Sequence, residues 1–439
     1  MFKKLLLPAF TALLTLSSFY LAAQQTPDTV VTTYNQSLPG SSWQYSFVQI
    51  TDIHIGEEAP GDDYGTPGYN DNTSPSDAGT PLLRLRNSVQ WINQHLDELK
   101  IHFVIVTGDL SESAEMSELL RCKQLLDSLN VPYLPMLGNH DIWPLSQGIE
   151  APLPSGDSLF NVLFADAFAD AQTFFPAWNN GTRLTKTWDT ENSCYAWFQN
   201  YHFQYGSYTY IFTDFVSRAH DIAVFNGASA DAQLHDFTGG TWPWLQQTIT
   251  NAPIQGQENI LLFAHHPLSK SLLSGSFASF SYDEYDDITQ YLNTQKDRVG
   301  TWIAGHKHNV EEYDIKTWTF SSPIATGYEA AANWEYANGH FRIFKVYDTL
   351  APIPAGLNLQ PTNKLTLSPN PCPETLHVQW EKDLNSEYVD IFDMQGRSVF
   401  HFPLTPGQTS LTVDLRELPS GLYLLYVKGA LPAQALIVH

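Results

Sequence analysis

Seven side chains with metal-binding chemistry recur between positions 52 and 308, each within a short block of polar residues. They are Asp52, His54, Asp109, Asn139, His265, His306 and His308. A single aspartate or histidine is usually a surface or capping residue, so the indication comes from the whole set taken in order. Imidazole, carboxylate and carboxamide ligands in this mixture suit Zn, Fe or Mn ions better than Mg or Ca ions.

Each of these polar blocks directly follows a short apolar segment with the character of a buried strand. The segments are Tyr45–Ile50, Phe103–Val106, Val131–Leu137, Ile260–Ala264 and Thr301–Ala304. In layered α/β folds the loops at the carboxyl ends of strands converge on one crevice. A chain that places its unusual polar residues at those ends therefore predicts one site.

Helices are predicted between the first strands. Thr80 and Pro81 suit the cap and the first turn of a helix. The apolar residues that follow have helical spacing, at Leu85, Val89, Ile92, Leu96 and Leu99. A second helix is predicted over Glu115–Leu129. This alternation of strand and helix predicts an α/β domain.

In order, the blocks have the patterns D-x-H, G-D, G-N-H-D, H-x-P and G-H-x-H. This series resembles the motifs of the calcineurin-like metallophosphoesterase superfamily, and five blocks at five strand ends are a specific signal. The resemblance covers about residues 45–346. It implies a four-layer sandwich of the αββα type.

The resemblance also implies how the ligands divide between two divalent or trivalent transition-metal ions, Zn, Mn or Fe. One ion would take Asp52, His54 and His308. The other would take Asn139, His265 and His306, and Asp109 would bridge them. His266 has no matching role and is expected to support the site or the structure.

The chemistry of ester hydrolysis accounts for these residue types. Two cations about 3.5–4 Å apart neutralise phosphate oxygens and lower the pKa of a bridging water, so that a bridging hydroxide can attack in line. His140, next to Asn139, would protonate the leaving oxygen or clamp the phosphate. Glu112 matches a carboxylate that orients the proton-donating histidine in related Ser/Thr phosphatases. Purple acid phosphatases have a tyrosine at that position, so Glu112 argues against that subgroup.

The implied activity is hydrolysis of phosphomonoesters or phosphodiesters. Nucleotides, glycerophosphodiesters and sphingomyelin-like lipids are candidate substrates. Two alternatives stay open, a non-catalytic surface binding protein with a metallophosphoesterase shell and a nuclease. The complete set of ligands argues against the shell. The net charge of −24, from 46 acidic and 22 basic residues, repels polyanions and argues against nucleic acid.

Two insertions are expected to form the substrate pocket. The first, Glu57–Gly79, has the composition of a surface loop, with a Ca²⁺ loop as the alternative. In the second, Asp141–Asn259, alternating runs at Tyr195–Gln199 and Tyr208–Thr213 predict paired strands, and a helix is predicted over Trp242–Ile249. Its aromatic residues either hold a base or lipid headgroup or form core; they are Trp143, Phe174, Phe175, Trp178 and Trp188.

The start of the chain has the layout of a signal peptide over residues 1–23, with two lysines before an apolar run. A membrane anchor is the alternative, but Pro8 and several polar residues interrupt the run. No other stretch reaches the ~20 apolar residues of a spanning helix, so no permanent membrane span is expected. For the cysteines, a Cys122–Cys194 bridge and buried free thiols are both open.

The last part of the chain predicts a second domain. Residues 349–363 have linker composition, and short β-type runs separated by turns then predict a small all-β Ig-like sandwich. Blocks with the patterns P-N-P, D-x-x-G-R and L-P-x-G-x-Y begin at Pro369, Asp393 and Leu418, and resemble the sorting domain of the type IX (Por) secretion system. The alternative is a generic Ig-like or carbohydrate-binding module.

The resemblance of residues 364–439 to that sorting domain implies contact with the type IX secretion machinery. It implies export to the surface of a Bacteroidetes-type bacterium or beyond. The expected organisation is a signal peptide at 1–23, a metallophosphoesterase domain at 24–348, a linker at 349–363 and a sorting domain at 364–439.

Overall fold

A computed structural model provides the fold. It describes residues 26–34, 42–57, 80–142, 155–218, 232–255, 257–269, 279–317, 322–348, 366–370, 372–380, 388–393, 398–405, 407–427 and 434–438. The predicted signal peptide, the predicted linker, Trp143 and the Glu57–Gly79 loop after Glu57 lie outside the described residues.

The first domain contains thirteen described strands and seven described α-helices. The strands are β1 (Asp28–Tyr34), β2 (Tyr45–Ile50), β3 (Ile101–Val106), β4 (Tyr133–Pro135), β5 (Lys186–Asp189), β6 (Cys194–Trp197), β7 (Tyr201–Tyr205), β8 (Tyr208–Phe212), β9 (Ile260–Phe263), β10 (Val299–Ala304), β11 (Glu311–Ile315), β12 (Ala325–Glu329) and β13 (His340–Val346). The helices are α1 (Pro81–Gln94), α2 (Leu96–Leu99), α3 (Met116–Leu126), α4 (Gly156–Leu163), α5 (Ala165–Phe174), α6 (Thr241–Asn251) and α7 (Tyr282–Thr294).

Two mixed sheets form the centre of this domain. One has the strand order β1-β13-β2-β3-β4, and the other has the order β11-β12-β10-β9-β8-β7. The strands that precede the predicted ligands run parallel to their neighbours, β2 with β3, β3 with β4, and β9 with β10. Their carboxyl ends therefore meet at one edge of each sheet.

The sheets face each other across an aromatic layer. The hydroxyl groups of Tyr45 and Tyr210, one from each sheet, lie 2.6 Å apart. Phe47 of the first sheet contacts the rings of Tyr210 and Phe263 of the second. Because side chains alternate along a strand, Leu262 points away from this layer and packs with α6 and α7.

Helices cover the outer faces. The buried side chains of α1 and α3 belong to the core of the first sheet, and those of α6 and α7 to the core of the second. The predicted four-layer αββα arrangement is therefore confirmed. The first predicted helix is interrupted, because His95 ends α1 and its Nδ1 bonds the carbonyl of Trp91 at 2.7 Å.

One predicted strand pairing is wrong. The partner of β8 is β7, and the chain reverses between them at Gly206 with φ 60°. A two-residue turn needs this left-handed backbone, which favours glycine. The run beginning at Tyr195 instead belongs to β6, which pairs with β5 in a separate hairpin.

Most of the aromatic residues of the insertion contribute to the core. Phe175 stacks on Phe203 with ring centroids 3.9 Å apart, and Phe174 and Trp178 pack against the same cluster. Trp188 is 46% exposed. Core packing therefore accounts for three of these side chains. Cys122, Cys194 and Cys372 are free thiols, so the Cys122–Cys194 bridge is not formed.

The second domain is made of short antiparallel strands, as predicted. They are β14 (Thr366–Ser368), β15 (Thr375–Gln379), β16 (Tyr388–Asp393), β17 (Ser398–Pro403), β18 (Ser410–Asp414), β19 (Gly421–Val427) and β20 (Gln434–Val438). They form sheets of order β14-β15-β18 and β17-β16-β19-β20 around one apolar core. The final strand, β20, was not predicted.

Candidate metal centre

The predicted ligands come together where the carboxyl ends of both sheets meet. Asp52, His54, Asp109 and Asn139 follow β2, β3 and β4, whereas His265, His306 and His308 follow β9 and β10. Main-chain hydrogen bonds join the loops within each sheet, from Asp52 N to Gly108 O at 3.1 Å and from Gly305 N to His265 O at 2.9 Å. The structure thus places all seven residues in one site.

The backbone is unusual at five of these positions. The φ angles are 49° at Asp52, 50° at His54, 51° at Asp109, 73° at His306 and 58° at His308. Non-glycine residues rarely adopt this left-handed region, and each instance costs of order 1–3 kcal/mol. Such residues cluster at functional sites, where the surrounding fold holds them in place.

The first group of ligands combines Asp52, His54 and His308, whose ligand atoms lie within 4.8 Å of one another. His308 Nε2 is 3.4 Å from Asp52 Oδ1. His54 Nε2 is buried without a hydrogen-bond partner among the described residues, 3.6 Å from Asp109 Oδ2. A lone pair aimed at a carboxylate in this way fits a shared cation.

The ligand atoms of the second group lie closer together than those of the first. Asn139 Oδ1 lies 3.0 Å from His265 Nε2 and 3.0 Å from His306 Nδ1. His265 Nε2 is also 3.1 Å from Asp109 Oδ2. The same carboxylate oxygen of Asp109 therefore faces histidines of both groups, as a bridging ligand would.

The protonation states suit cation binding in part of the site. Desolvation opposes ionisation of Asp109, but His265 and His140 outweigh it and hold its pKa well below the usual range. Burial lowers the pKa of His306 to about 3 and keeps His54 neutral as well. Asp109 is thus a carboxylate, and the two imidazoles are neutral.

Two other histidines hold protons when no cation is bound. Burial opposes protonation of His265, but Asp109 raises its pKa to about 9. The pKa of His308 is raised to about 10 by Asp52 and then Glu335, against desolvation. Since metal ligands must be deprotonated, a cation at these two residues would have to replace the protons.

Outer contacts orient three of the imidazoles in the same way. His54 Nδ1 bonds the Glu112 carboxylate, His265 Nδ1 bonds the Thr107 carbonyl at 2.8 Å, and His308 Nδ1 bonds Glu335 at 2.8 Å. Each ring then presents Nε2 to the site. Metal-ligating histidines generally have such a partner on the other nitrogen.

Glu112 contacts two histidines of the site. Oε2 of its buried carboxylate bonds His54 Nδ1 and also lies 3.5 Å from His140 Nδ1, within ion-pair distance. The main-chain carbonyl of Glu112 accepts the hydrogen bond from His140 Nδ1 at 2.8 Å. Glu112 thus contacts His140 through its backbone and its side chain, and His54 through its side chain.

We expect Glu112→Gln to bind Zn²⁺ or Mn²⁺ about 10–100-fold more weakly, because the amide removes the charge that supports the His54 imidazole. Metal titration followed by activity measures this change. Glu335→Gln is the matched control, since its carboxylate supports His308 from a more exposed position, and a smaller effect is expected. Unchanged affinity in Glu112→Gln would contradict this role.

Asp141 joins two of the ligand loops. Its carboxylate accepts hydrogen bonds from Leu110 N at 3.0 Å, Ser111 N at 2.9 Å and Gly138 N at 2.9 Å. The loop that carries Asp109 is thereby fixed to the loop that carries Asn139. A Cβ on Gly138 would lie 2.1 Å from Asp109 Oδ1, so this close approach requires glycine.

The loop between β12 and β13 also reaches the site, and sequence reasoning missed it. Asn333 N donates to Thr51 O at 3.0 Å, and the ring of Trp334 lies 6.0 Å from that of His54. Glu335 follows and bonds His308. The only signal in the sequence was Asn-Trp-Glu after three alanines.

His266 is buried beside the site. Its ring centroid is 4.6 Å from that of His306, and its ring nitrogens have no hydrogen-bond partner among the described residues. Its expected supporting role stays a prediction.

Two solved structures are similar to this chain at low identity and low TM-score. A dimetal phosphatase from Danio rerio is 14% identical with a TM-score of 0.42, and the match covers 77% of this chain and 96% of that one. A purple acid phosphatase from yellow lupin is 18% identical with a TM-score of 0.34, over 86% of this chain and 55% of that one. No curated protein matches the chain at a significant level.

The second domain has its own family match. Residues 366–434 match the secretion system C-terminal sorting domain. This domain directs export by the type IX machinery of Bacteroidetes-type bacteria to the cell surface or the extracellular space. Within the described part of the chain, no helix has the length and apolar character needed to cross a bilayer.

The first domain matches a family model over a longer part of the chain. Residues 45–310, more than half of the chain, match the model for calcineurin-like phosphoesterase, and these residues contain every ligand described above. The chain therefore belongs to the calcineurin-like phosphoesterase family.

Proposed function

We propose that this exported protein hydrolyses phosphomonoesters or phosphodiesters, of small molecules or lipids, at a centre of two metal ions. The observation that carries the proposal is the position of Asp109 Oδ2, 3.6 Å from His54 Nε2 and 3.1 Å from His265 Nε2. One carboxylate oxygen thus faces a histidine of each group, an arrangement suited to a pair of cations.

Under this proposal Asp52, His54 and His308 hold one ion, and Asn139, His265 and His306 hold the other. The ions would be Zn, Mn or Fe, because imidazole and mixed oxygen ligands suit these metals. When bound, such a pair neutralises the charge of the phosphate and lowers the pKa of a water molecule.

Under this proposal His140 acts on the substrate. Its main-chain N–H donates to Asp109 Oδ1 at 2.9 Å, and its Nδ1 donates to the Glu112 carbonyl at 2.8 Å. The ring lies 4.4 Å from the ring of His54, measured between centroids. The Glu112 carbonyl fixes the orientation of the ring through Nδ1, and in the imidazolium form Nε2 would protonate the leaving oxygen or hold the phosphate.

The first test is hydrolysis of p-nitrophenyl phosphate and bis-p-nitrophenyl phosphate by the purified protein, with Mn²⁺, Zn²⁺ or EDTA. We expect turnover that depends on the metal and disappears with EDTA, and the ratio of the two rates distinguishes a monoesterase from a diesterase. Bound metal without hydrolysis of either ester would contradict the proposal for small substrates. Neither metal nor hydrolysis would favour a binding protein with a metallophosphoesterase shell.

A further inference from the structure

A second group of metal-binding side chains lies in the insertion, with no residue shared with the centre described above. Asp189 and Glu191 lie at the turn of the β5–β6 hairpin, and His235 lies in the segment that leads to α6. One ligand atom from each of the three residues lies within 4.8 Å of the others.

His235 has a fixed tautomer. The residue is fully buried, and its Nε2 lies 2.9 Å from the carbonyl oxygen of Val216. A carbonyl only accepts, so Nε2 carries the hydrogen and Nδ1 of the neutral ring carries a lone pair. That Nδ1 is buried, has no hydrogen-bond partner among the described residues and lies 3.6 Å from Asp189 Oδ2.

Asp189 presents the same kind of atom from the other side. The carboxylate is fully buried, and its oxygens accept hydrogen bonds from Glu191 N at 2.9 Å and from the Asn192 side chain at 2.9 Å. No lysine or arginine of the described residues forms an ion pair with it. Two acceptors thus face each other in a buried site, which is unfavourable unless a positive charge lies between them.

A proton on His235 is the simplest such charge, but the surroundings oppose it. Arg218 lies nearby and already pairs with Asp214, with Nη2 to Oδ2 at 2.8 Å. Arg218 Nη1 and His235 Nε2 lie 2.6 Å and 2.9 Å from the same carbonyl oxygen of Val216, so a proton on His235 would add a second buried positive charge beside Arg218. A cation that binds both the lone pair and the carboxylate satisfies this geometry.

We propose that Asp189, Glu191 and His235 bind an additional divalent cation of the zinc class. Two ligand atoms at about 2.1 Å from one tetrahedral ion lie about 3.4 Å apart, close to the Nδ1 to Oδ2 distance here. One imidazole and two carboxylates are ligands that zinc accepts. Glu191 is exposed and gives the ion access from solvent.

The role of this ion is structural. It joins the β5–β6 hairpin to the segment before α6, two parts of the chain that are more than 40 residues apart between Asp189 and His235. The hairpin is a separate two-stranded sheet, so this link supplements a limited set of hydrogen bonds.

The test counts metal in the full protein after Zn²⁺ loading and removal of excess ion. We expect about three ions per chain, and about two in Asp189→Asn and His235→Gln, with hydrolysis by the main centre retained. Asp189→Asn keeps an oxygen for the hairpin hydrogen bonds. His202→Gln is the matched control, because its buried Nδ1 also lacks a partner among the described residues but faces no carboxylate of the group.

Anomalous diffraction at the zinc edge provides a readout that does not depend on any variant. A peak between His235 Nδ1 and Asp189 Oδ2 would support the proposal. Density for only the two ions of the main centre, or the same ion count in Asp189→Asn, His235→Gln and the wild-type protein, would overturn it. Both readouts are independent of catalysis, so they stand whether or not the protein hydrolyses phosphate esters.

Discussion

An Asp109→Asn variant is expected to lose about a thousandfold in kcat/KM for p-nitrophenyl esters, roughly 4 kcal/mol of transition-state stabilisation. The reason is the position of the carboxylate, whose Oδ2 faces His54 and His265 in the two groups of ligands. An amide of the same size keeps the shape but removes the charge that two cations share.

Steady-state kinetics and metal analysis of the same preparation measure this effect. Both the rate and the metal content should fall, while the circular dichroism spectrum stays that of the wild-type protein. Asp97→Asn, an exposed position in α2, is the matched control and should change neither quantity. Wild-type kcat/KM in Asp109→Asn would contradict a bridging role.

His140→Ala is expected to lower kcat by about 10²–10⁴-fold for alkyl phosphate esters, with normal metal content. An alkoxide is a poor leaving group and needs a proton, whereas p-nitrophenolate leaves without one. The loss should therefore be smaller for the p-nitrophenyl esters. The assignment rests on the contact of His140 Nδ1 with the Glu112 carbonyl, which fixes the orientation of the ring beside the metal centre.

The dependence on leaving group separates the two roles considered for His140. An equal loss for alkyl and p-nitrophenyl esters would contradict proton donation and favour a phosphate clamp. His377→Asn, an exposed histidine of the second domain, is the control for the loss of an imidazole elsewhere in the chain. It should have wild-type rates with every ester.

The metal ligands could be predicted because each one follows a strand whose apolar residues are visible in the sequence. Asp52 follows β2 and His265 follows β9, and parallel pairing brings such strand ends together. Glu335 could not be found in this way. It lies in the loop between β12 and β13, whose path is fixed by contacts such as Asn333 N to Thr51 O, and these depend on the folded structure.

The alternation of apolar and polar residues also failed to predict the partner of a strand where more than one pairing was possible. The alternating run beginning at Tyr195 is compatible with either neighbour in sequence, and only the turn at Gly206 selects β7 as the partner of β8. The contact of Glu112 with His54 was likewise not predicted. Spacing placed the carboxylate near His140, and in the folded structure the same oxygen also bonds His54.

The left-handed backbone of the ligand loops has a consequence for the evolution of heat resistance. At Asp52, His54, Asp109, His306 and His308 the side chain required by the metal is not the residue best suited to the local conformation, which is glycine. A screen that rewards survival at high temperature alone should therefore enrich glycine at these positions and recover robust but inactive proteins. Laboratory selection on this scaffold has to score turnover and survival together.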